Sequence, residues 1–210
     1  AHPRVHHIHV ATDADPNSAR FGEGFWRFSA RAWRGSFRAG LKAETALRAR
    51  ANTPPPRYSH PYVAYTFGAS LTVIVSFLIN DLSGILALLA VAAYAQIQLL
   101  LSDYVQHYGL RRALRDDGRP IPVGPQHSWN TPHWYSSAVM LNAPRHSDHH
   151  MNPARPYPAL ELNPETMPIL PHSLPVMAVI ALVPPLWRRI MDPRVALWND
   201  TGNTPPSAAP

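Results

Sequence analysis

The residues best suited to chemistry in this sequence are histidines, which form two clusters far apart along the chain. The 210 residues include 12 His and no Cys. The first cluster has the spacing H-x3-H-H, the second has the spacing H-x2-H-H, and one further His lies between them. The seven residues are His2, His6, His7, His107, His146, His149 and His150. Neutral imidazole is the commonest side-chain metal ligand, so this pattern predicts metal binding.

The number of imidazoles indicates more than one metal ion. Four ligands complete a structural zinc site, so seven converging His fit a dinuclear centre better. On a helix, the three His of the second cluster fall within an arc of about 100° and can point at one place. The lack of Cys excludes disulfides, thiolate zinc sites and iron–sulfur ligation by this chain. No Glu-x-x-His motif occurs, which excludes the carboxylate-rich soluble di-iron pattern.

Three polar residues near the clusters are candidates for holding ligand imidazoles in place: Asp103, His127 and Asp148. Asp103 falls on the same helical face as His107. Asp148 could orient an imidazole through its second N–H, pair with Arg145 or cap a helix. There is no glycine-rich phosphate loop, G-x-S-x-G motif or Cys nucleophile, so no catalytic residue is predicted beyond the metal ligands.

Two long uncharged runs must position these clusters. Residues 62–79 and 82–101 contain 18 and 20 residues without a charge, and each run is about as long as a bilayer core requires. Asn80 and Asp81 interrupt them, and this break is too short to cross a membrane. The pattern therefore predicts an antiparallel transmembrane helical hairpin. The alternative is a buried helical pair of a soluble protein.

The charge distribution places both ends of the hairpin on one side of the membrane. The net charge is +6, ten Arg or Lys lie between Arg4 and Arg57, and none lies between the two runs. The positive-inside rule puts both flanks and the His clusters in the cytoplasm, as in a bacterial inner-membrane protein. Residues 20–50 are typical of a basic amphipathic helix at a membrane surface, or of a surface helix packed on its own domain. The Arg residues lie beside membrane helices, so no nucleic-acid partner is predicted.

The expected fold is an all-α membrane protein in which a transmembrane hairpin carries cytoplasmic His-rich helices that form a di-metal site. Because the first His cluster lies at the very start of the sequence, we take the chain to be the C-terminal part of a longer protein. Trp187-Arg188-Arg189 is predicted to anchor an interfacial segment. The single domain over 1–210 divides into a first His cluster with the basic helix (1–60), the hairpin (61–110), the second His region with the interfacial segment (111–200) and a disordered tail (201–210).

The motifs around the clusters resemble those of a known family. P-R-H-S-D-H-H at 144–150 closely resembles the R-H-S-D-H-H box of membrane-bound alkane 1-monooxygenases, which belong to the integral-membrane fatty acid desaturase and hydroxylase group. D-Y-V-Q-H-Y-G-L at 103–110 resembles the motif N-Y-x-E-H-Y-G-L. H-P-R-V-H-H at 2–7 resembles the end of the box E-H-x-x-G-H-H. The likeness extends over nearly the whole chain.

The resemblance implies a non-haem di-iron monooxygenase that hydroxylates the terminal carbon of alkanes with O2. It implies two non-haem iron ions, with the seven His as ligands, and electrons from rubredoxin and rubredoxin reductase. Alkane would reach the site from lipid. The alternatives are a related fatty-acyl desaturase or hydroxylase, an aromatic side-chain hydroxylase, and a non-catalytic membrane metal-binding remnant.

The sequence departs from the family pattern at several places. The first box of the family, H-E-x-x-H, is absent from these residues. We expect it upstream of Ala1 and expect this fragment alone to be inactive. Val5 stands where the family has Gly, Gln106 where it has Glu, and Asp103 where it has Asn.

Overall fold

The computed structural model describes residues 2–53 and 55–200, and this part of the chain is helical, with two isolated β-bridges in place of strands. A π-helix, His2–His6, runs directly into the first α-helix. The predicted disordered tail, 201–210, lies outside the described residues. The α-helices are α1 (His7–His9), α2 (Phe25–Ala49), α3 (Pro61–His107), α4 (Trp134–Val139), α5 (His146–Met151), α6 (Leu174–Ala181) and α7 (Pro184–Asp200).

The chain reverses direction within α3. Asn80 and Asp81 have non-helical backbone angles, with φ of −154° and 45°. Gly84 lies so close to the backbone of Ser76 that a Cβ on Gly84 would collide with the Ser76 carbonyl oxygen. On a straight helix these two residues would be about 12 Å apart along the axis. The antiparallel hairpin predicted from the two uncharged runs is confirmed.

The hairpin exposes an apolar surface that fits a membrane. By length and composition α3 is a candidate membrane span, and its most apolar window is not buried inside the protein. The hydroxyls of Thr66, Thr72 and Ser76 donate hydrogen bonds of 2.8–2.9 Å to carbonyl oxygens four residues earlier. Such bonds satisfy polar groups that lipid cannot solvate.

Helix α2 lies across the open end of the hairpin. The rings of Phe25 and Phe28 pack 5.6 and 5.3 Å from Tyr104 on the second leg. The ring of Phe37 packs 5.3 Å from Tyr62 at the start of the first leg. Both ends of the hairpin therefore lie on one side of the molecule, as predicted. The exposed side of α2 combines basic and aromatic residues: Arg27, Arg34, Arg38, Trp33 and Phe37.

The hydrophobic core fills the space below the hairpin, between α2, the end of α3, α6 and α7. Trp187 of α7 is completely buried there, with its ring 5.1 Å from Tyr104 and 5.3 Å from Tyr108. The prediction that Trp187 anchors the chain at the membrane interface is wrong. Its side chain faces the core because α7 packs against the aromatic end of α3.

The end of α3 is fixed by one tyrosine and one glycine. The Tyr108 hydroxyl donates to Asp192 at 2.6 Å and accepts from the backbone N–H of Gly22 at 2.9 Å. Gly109 has φ +72°, and a Cβ added to it would lie 2.7 Å from Val195. The glycine thus allows both the left-handed turn and the close approach of α7.

Two glycine substitutions separate these effects. Gly118 has φ +75° but no atom within 4 Å of an added Cβ, so it is a matched control for Gly109. We expect Gly118→Ala to lower the free energy of unfolding by about 1 kcal/mol through backbone strain. Gly109→Ala should cost about 1–3 kcal/mol more through the clash with Val195. Thermal unfolding in detergent measures both, and equal shifts would contradict the packing of α7 on this turn.

Candidate metal centre

The short helix α5 presents three histidines to one place. His146, His149 and His150 follow the spacing i, i+3, i+4, which puts them on neighbouring positions of one face. Six residues do not form a stable helix alone. Asn130 holds α5 by accepting from the backbone N–H of Ser147 at 2.9 Å and donating to the Ser147 hydroxyl at 2.8 Å. These two bonds therefore join residues 127–130 to the P-R-H-S-D-H-H segment at 144–150.

The first cluster is positioned by the π-helix. In a π-helix the residue five positions along, rather than four, completes the hydrogen-bonded turn. Both His6 and His7 consequently lie on the same side as His2, with ring centroids 4.9 and 4.7 Å from the His2 ring. Their spacing along the sequence suggested a cluster but did not indicate this winding.

The structure brings all seven predicted histidines together, as two neighbouring groups. Four are buried and three are partly exposed, and within each group the possible ligand atoms lie within 4.8 Å of one another. The groups touch, since the His7 ring lies 4.8 Å from the His150 ring. The buried group is His6, His107, His146 and His150, and the outer group is His2, His7 and His149.

The nitrogen atoms of the buried group fit a cation between them. His146 Nε2 lies 3.0 Å from His107 Nε2 and 3.1 Å from His150 Nε2. Each imidazole nitrogen carries either one proton or one lone pair, so His146 can form a proper hydrogen bond with only one of these neighbours. A metal ion satisfies all three lone pairs.

Two further imidazole nitrogens point to the same conclusion. His6 Nε2 and His7 Nδ1 are buried and have no hydrogen-bond partner in the part of the chain that the structure describes. A buried polar atom without a partner is destabilising, and native proteins rarely contain one without a compensating water or ion. The residues present therefore fit a metal cofactor.

Burial keeps most of these histidines in the neutral form that metals bind. It lowers the pKa of His146 and His150 well below the usual value, and the neighbouring imidazoles lower both further. Burial and the adjacent His rings also lower the pKa of His2 and His7 to about 4. Each lone pair is then available at neutral pH without loss of a proton.

His6 differs because it is paired with a carboxylate. Burial lowers its pKa, but the hydrogen bond and charge of Asp15 outweigh burial and leave the pKa raised. His6 Nδ1 donates to Asp15 at 2.8 Å, and the same carboxylate accepts from Ser18 at 2.7 Å and the backbone of Asn17 at 3.0 Å. This fixes Nε2 as the free ligand atom, as in carboxylate–histidine–metal arrangements. Sequence reasoning missed Asp15; its position soon after the first cluster was the only signal.

Two of the three predicted supporting residues act indirectly. Asp103 accepts from the side chain of Asn17 at 2.6 Å, and the backbone N–H of Asn17 in turn reaches Asp15. Asp103 therefore connects the hairpin to His6 through two intermediates. The His127 ring accepts from the backbone N–H of Gly124 at 2.8 Å, and it is the next residue, Ser128, whose hydroxyl lies 3.5 Å from His107 Nδ1.

Asp148 holds the segment after α5. Its carboxylate accepts from Asn152 at 2.7 Å, Arg155 at 2.8 Å and the backbone N–H of Glu161 at 2.8 Å. The pairing partner is thus Arg155, whereas Arg145 donates to the Leu160 carbonyl. Asp148 serves to fold the loop back toward the centre.

The amide of Gln106 has a structural use that a carboxylate could not replace. Gln106 is almost fully buried, its Nε2 donates to the Ala143 carbonyl at 3.2 Å, and its Oε1 accepts from Ser102 at 2.8 Å. Glu at this position would place a carboxylate oxygen against the carbonyl oxygen of Ala143, and neither atom can donate a hydrogen bond. The departure of this residue from the family motif therefore has a physical reason in the packing of this chain.

The sequence comparisons agree with this geometry. A family model described as fatty acid desaturase matches residues 1–180. The chain belongs to the fatty acid desaturase family. The predicted resemblance is thereby confirmed.

Several curated proteins are similar to this chain. Alkane 1-monooxygenase 1 of Pseudomonas aeruginosa is 36% identical over 195 residues, which cover 92% of this chain and 50% of that protein. Alkane 1-monooxygenase of Pseudomonas putida is 34% identical over 200 residues, 94% and 49% of the two chains. The xylene/toluene monooxygenase hydroxylase component of Pseudomonas putida is 28% identical over 209 residues, 98% and 54%. The chain spans about half the length of these curated relatives.

Loss of the Asp15 carboxylate should weaken metal binding without unfolding the protein. Asp15→Asn removes the charge that raises the basicity of His6 and permits the wrong tautomer, so we expect metal affinity to fall about 10- to 100-fold. Competition with a chelator measures it. Asp13→Asn, two residues away on a largely exposed side chain, is the control and should leave affinity unchanged. Equal affinities for the two variants would exclude the role of Asp15.

Proposed function

We propose that this chain forms part of a membrane-bound di-iron monooxygenase that hydroxylates the terminal carbon of alkanes. In this proposal the centre lies on the cytoplasmic side of a bacterial inner membrane, and electrons come from rubredoxin and its reductase. The similarity to alkane 1-monooxygenases over nearly the whole chain supports the substrate class.

The observation that carries the proposal is the pair of adjacent all-imidazole groups at the base of the hairpin. Imidazole-only sites suit iron, zinc, copper or nickel, and two touching groups suit two ions of one redox centre. A single structural zinc would need only four of the seven histidines. The metal would supply reductive activation of O2 for insertion of one oxygen atom into a C–H bond.

The residues of the chain perform the remaining tasks. The buried group is enclosed by the core and by α5, which keeps bulk water away from it. Asp15 holds the orientation of His6, and the Ser128 hydroxyl lies beside His107 Nδ1. A rigid ligand set of this kind prevents the imidazoles from leaving the metal when its charge changes.

A cavity beside the metal centre could accept the end of an alkyl chain. It has a volume of about 470 Å³ and lies between α2, the hairpin legs and the first His cluster. Its apolar wall would orient a hydrocarbon toward the imidazoles, and the hairpin would allow entry from lipid. The residues that line the cavity include His2, His6, Trp33, Phe37, Leu99 and Asp103.

Metal content tests the two-ion centre. In the complete gene product purified in detergent, His146→Ala should remove the ion held by the buried group, and His149→Ala should remove the ion held by the outer group. Each variant should therefore keep about half the iron. His172→Ala, on an exposed histidine, is the control and should keep all of it. Elemental analysis provides the measurement. Complete loss in either single variant would indicate one shared ion, and zinc in place of iron would reject the redox proposal.

Product analysis tests the reaction. Cells that express the complete protein with a rubredoxin and its reductase should convert octane to the terminal alcohol, and His146→Ala should abolish the product. Toluene and saturated acyl lipids are the competing substrates, since the aromatic side-chain hydroxylase and desaturase alternatives predict a benzylic alcohol or a new double bond. Gas chromatography distinguishes the three products. Absence of all three with a full iron complement would favour a non-catalytic metal-binding protein.

A further inference from the structure

Helix α4 has the reverse of the polarity expected for a helix in water. Its two serines, Ser136 and Ser137, face the protein and are only 8% and 3% exposed. Its large apolar side chains face outward, with Trp134 79%, Tyr135 67% and Val139 69% exposed. A helix on the surface of a soluble protein buries its apolar side and exposes its polar one. The outward side of α4 is therefore suited to an apolar neighbour.

The sequence around α4 also lacks the charges that a surface in water carries. No Asp, Glu, Lys or Arg occurs from position 120 to position 144, although both ends of this stretch adjoin arginines, Arg119 and Arg145. Leu141, just after α4, is a further exposed large apolar residue. Contiguous apolar surface of this kind marks a protein or membrane contact.

The location of α4 indicates a membrane as that neighbour. The side-chain amide of Gln106 donates to the backbone carbonyl of Ala143 at 3.2 Å, and the backbone carbonyl of Gln106 accepts from the backbone N–H of Trp129 at 2.8 Å. Trp129 and Ala143, which flank α4 on either side, are thus fastened to the last turn of the second hairpin leg. This is the level at which the apolar run of α3 ends and the hairpin would leave the bilayer.

We propose that α4 and the turn after it form a second membrane contact, which lies in the lipid interface on the side of the metal centre. Trp and Tyr are the residues enriched at this depth, where their rings contact acyl chains and their polar atoms reach the headgroups. Trp134 and Tyr135 occupy the outward face together with Val139. In this proposal one bilayer covers both α4 and the hairpin.

This contact would set the depth of the second His cluster. Leu141 and Asn142 both have positive φ, 52° and 61°, and make a tight turn from α4 into the segment that begins α5. His146 therefore follows the proposed lipid contact by only a few residues along the chain. The inference concerns membrane depth and does not depend on the reaction proposed above.

Spin labels can measure this depth directly, because the chain has no Cys. In the complete protein, any Cys outside these 210 residues is replaced by Ser, and single labels are placed through Val139→Cys and Tyr135→Cys. The protein is reconstituted into vesicles of phosphatidylcholine and phosphatidylglycerol. Power saturation then compares collisions with O2, which enters lipid, and with a water-soluble nickel chelate. Asp117→Cys, in a polar turn, is the aqueous reference and Leu89→Cys, on the hairpin, is the lipid reference.

We expect the labels on α4 to collide more with O2 than with the nickel chelate, at a ratio between those of the two references. Collision with nickel equal to that at Asp117→Cys would place α4 in water and overturn the proposal. Little collision with either reagent would mean that another protein surface covers α4, and would overturn it as well. An unchanged thermal unfolding temperature in detergent confirms that each labelled variant is folded, and Tyr135→Cys provides the result if Val139→Cys does not fold.

Discussion

The close packing of seven imidazoles in one pocket is the constraint on which the rest of this structure depends. In the buried group, His146 Nε2 faces two other ring nitrogens at 3.0 and 3.1 Å, which is repulsive for at least one pair unless a cation lies between them. The rings must also be neutral, since several imidazolium charges at this distance would repel strongly in a medium of low dielectric constant. Burial meets the second condition for His146 and His150, whereas Asp15 raises the pKa of His6. A metal ion would meet the first condition.

No single helix of this chain could meet that constraint alone. The candidate ligands come from the π-helix, α1, the last turn of α3 and α5, and three of these four elements are too short to be stable in isolation. The aromatic cluster of Tyr104, Tyr108 and Trp187 fixes the end of α3. Asn130 and Asp148 then hold α5, while Asn17 and Asp15 hold the π-helix. The polar network around the centre thus substitutes for intrinsic helix stability.

The sequence predicted the parts of this arrangement that follow from composition and period. Two uncharged runs of bilayer length predicted the hairpin. Asn80-Asp81 predicted the position of its turn, because neither residue suits a membrane interior. The seven histidines were identified from residue type and spacing alone. The contribution of Asp15 and the burial of Trp187 could not be derived in this way, because both depend on which long-range neighbours the fold supplies. A Trp beside two arginines has the same local pattern at a membrane interface and at the edge of a core.

The two histidine groups differ in a way that assigns them different tasks in the proposed centre. The buried group offers four nitrogens, enough to complete a coordination shell and to hold an ion that exchanges little with its surroundings. The outer group offers three, is partly exposed, and has the Tyr157 ring stacked 5.3 Å from His149. Catalytic metals characteristically keep a position for a ligand that is not supplied by the protein. An external ligand would therefore bind more readily on the outer side, which is the more exposed of the two. The asymmetry follows from burial, since the same residue type has been placed at two depths within one fold.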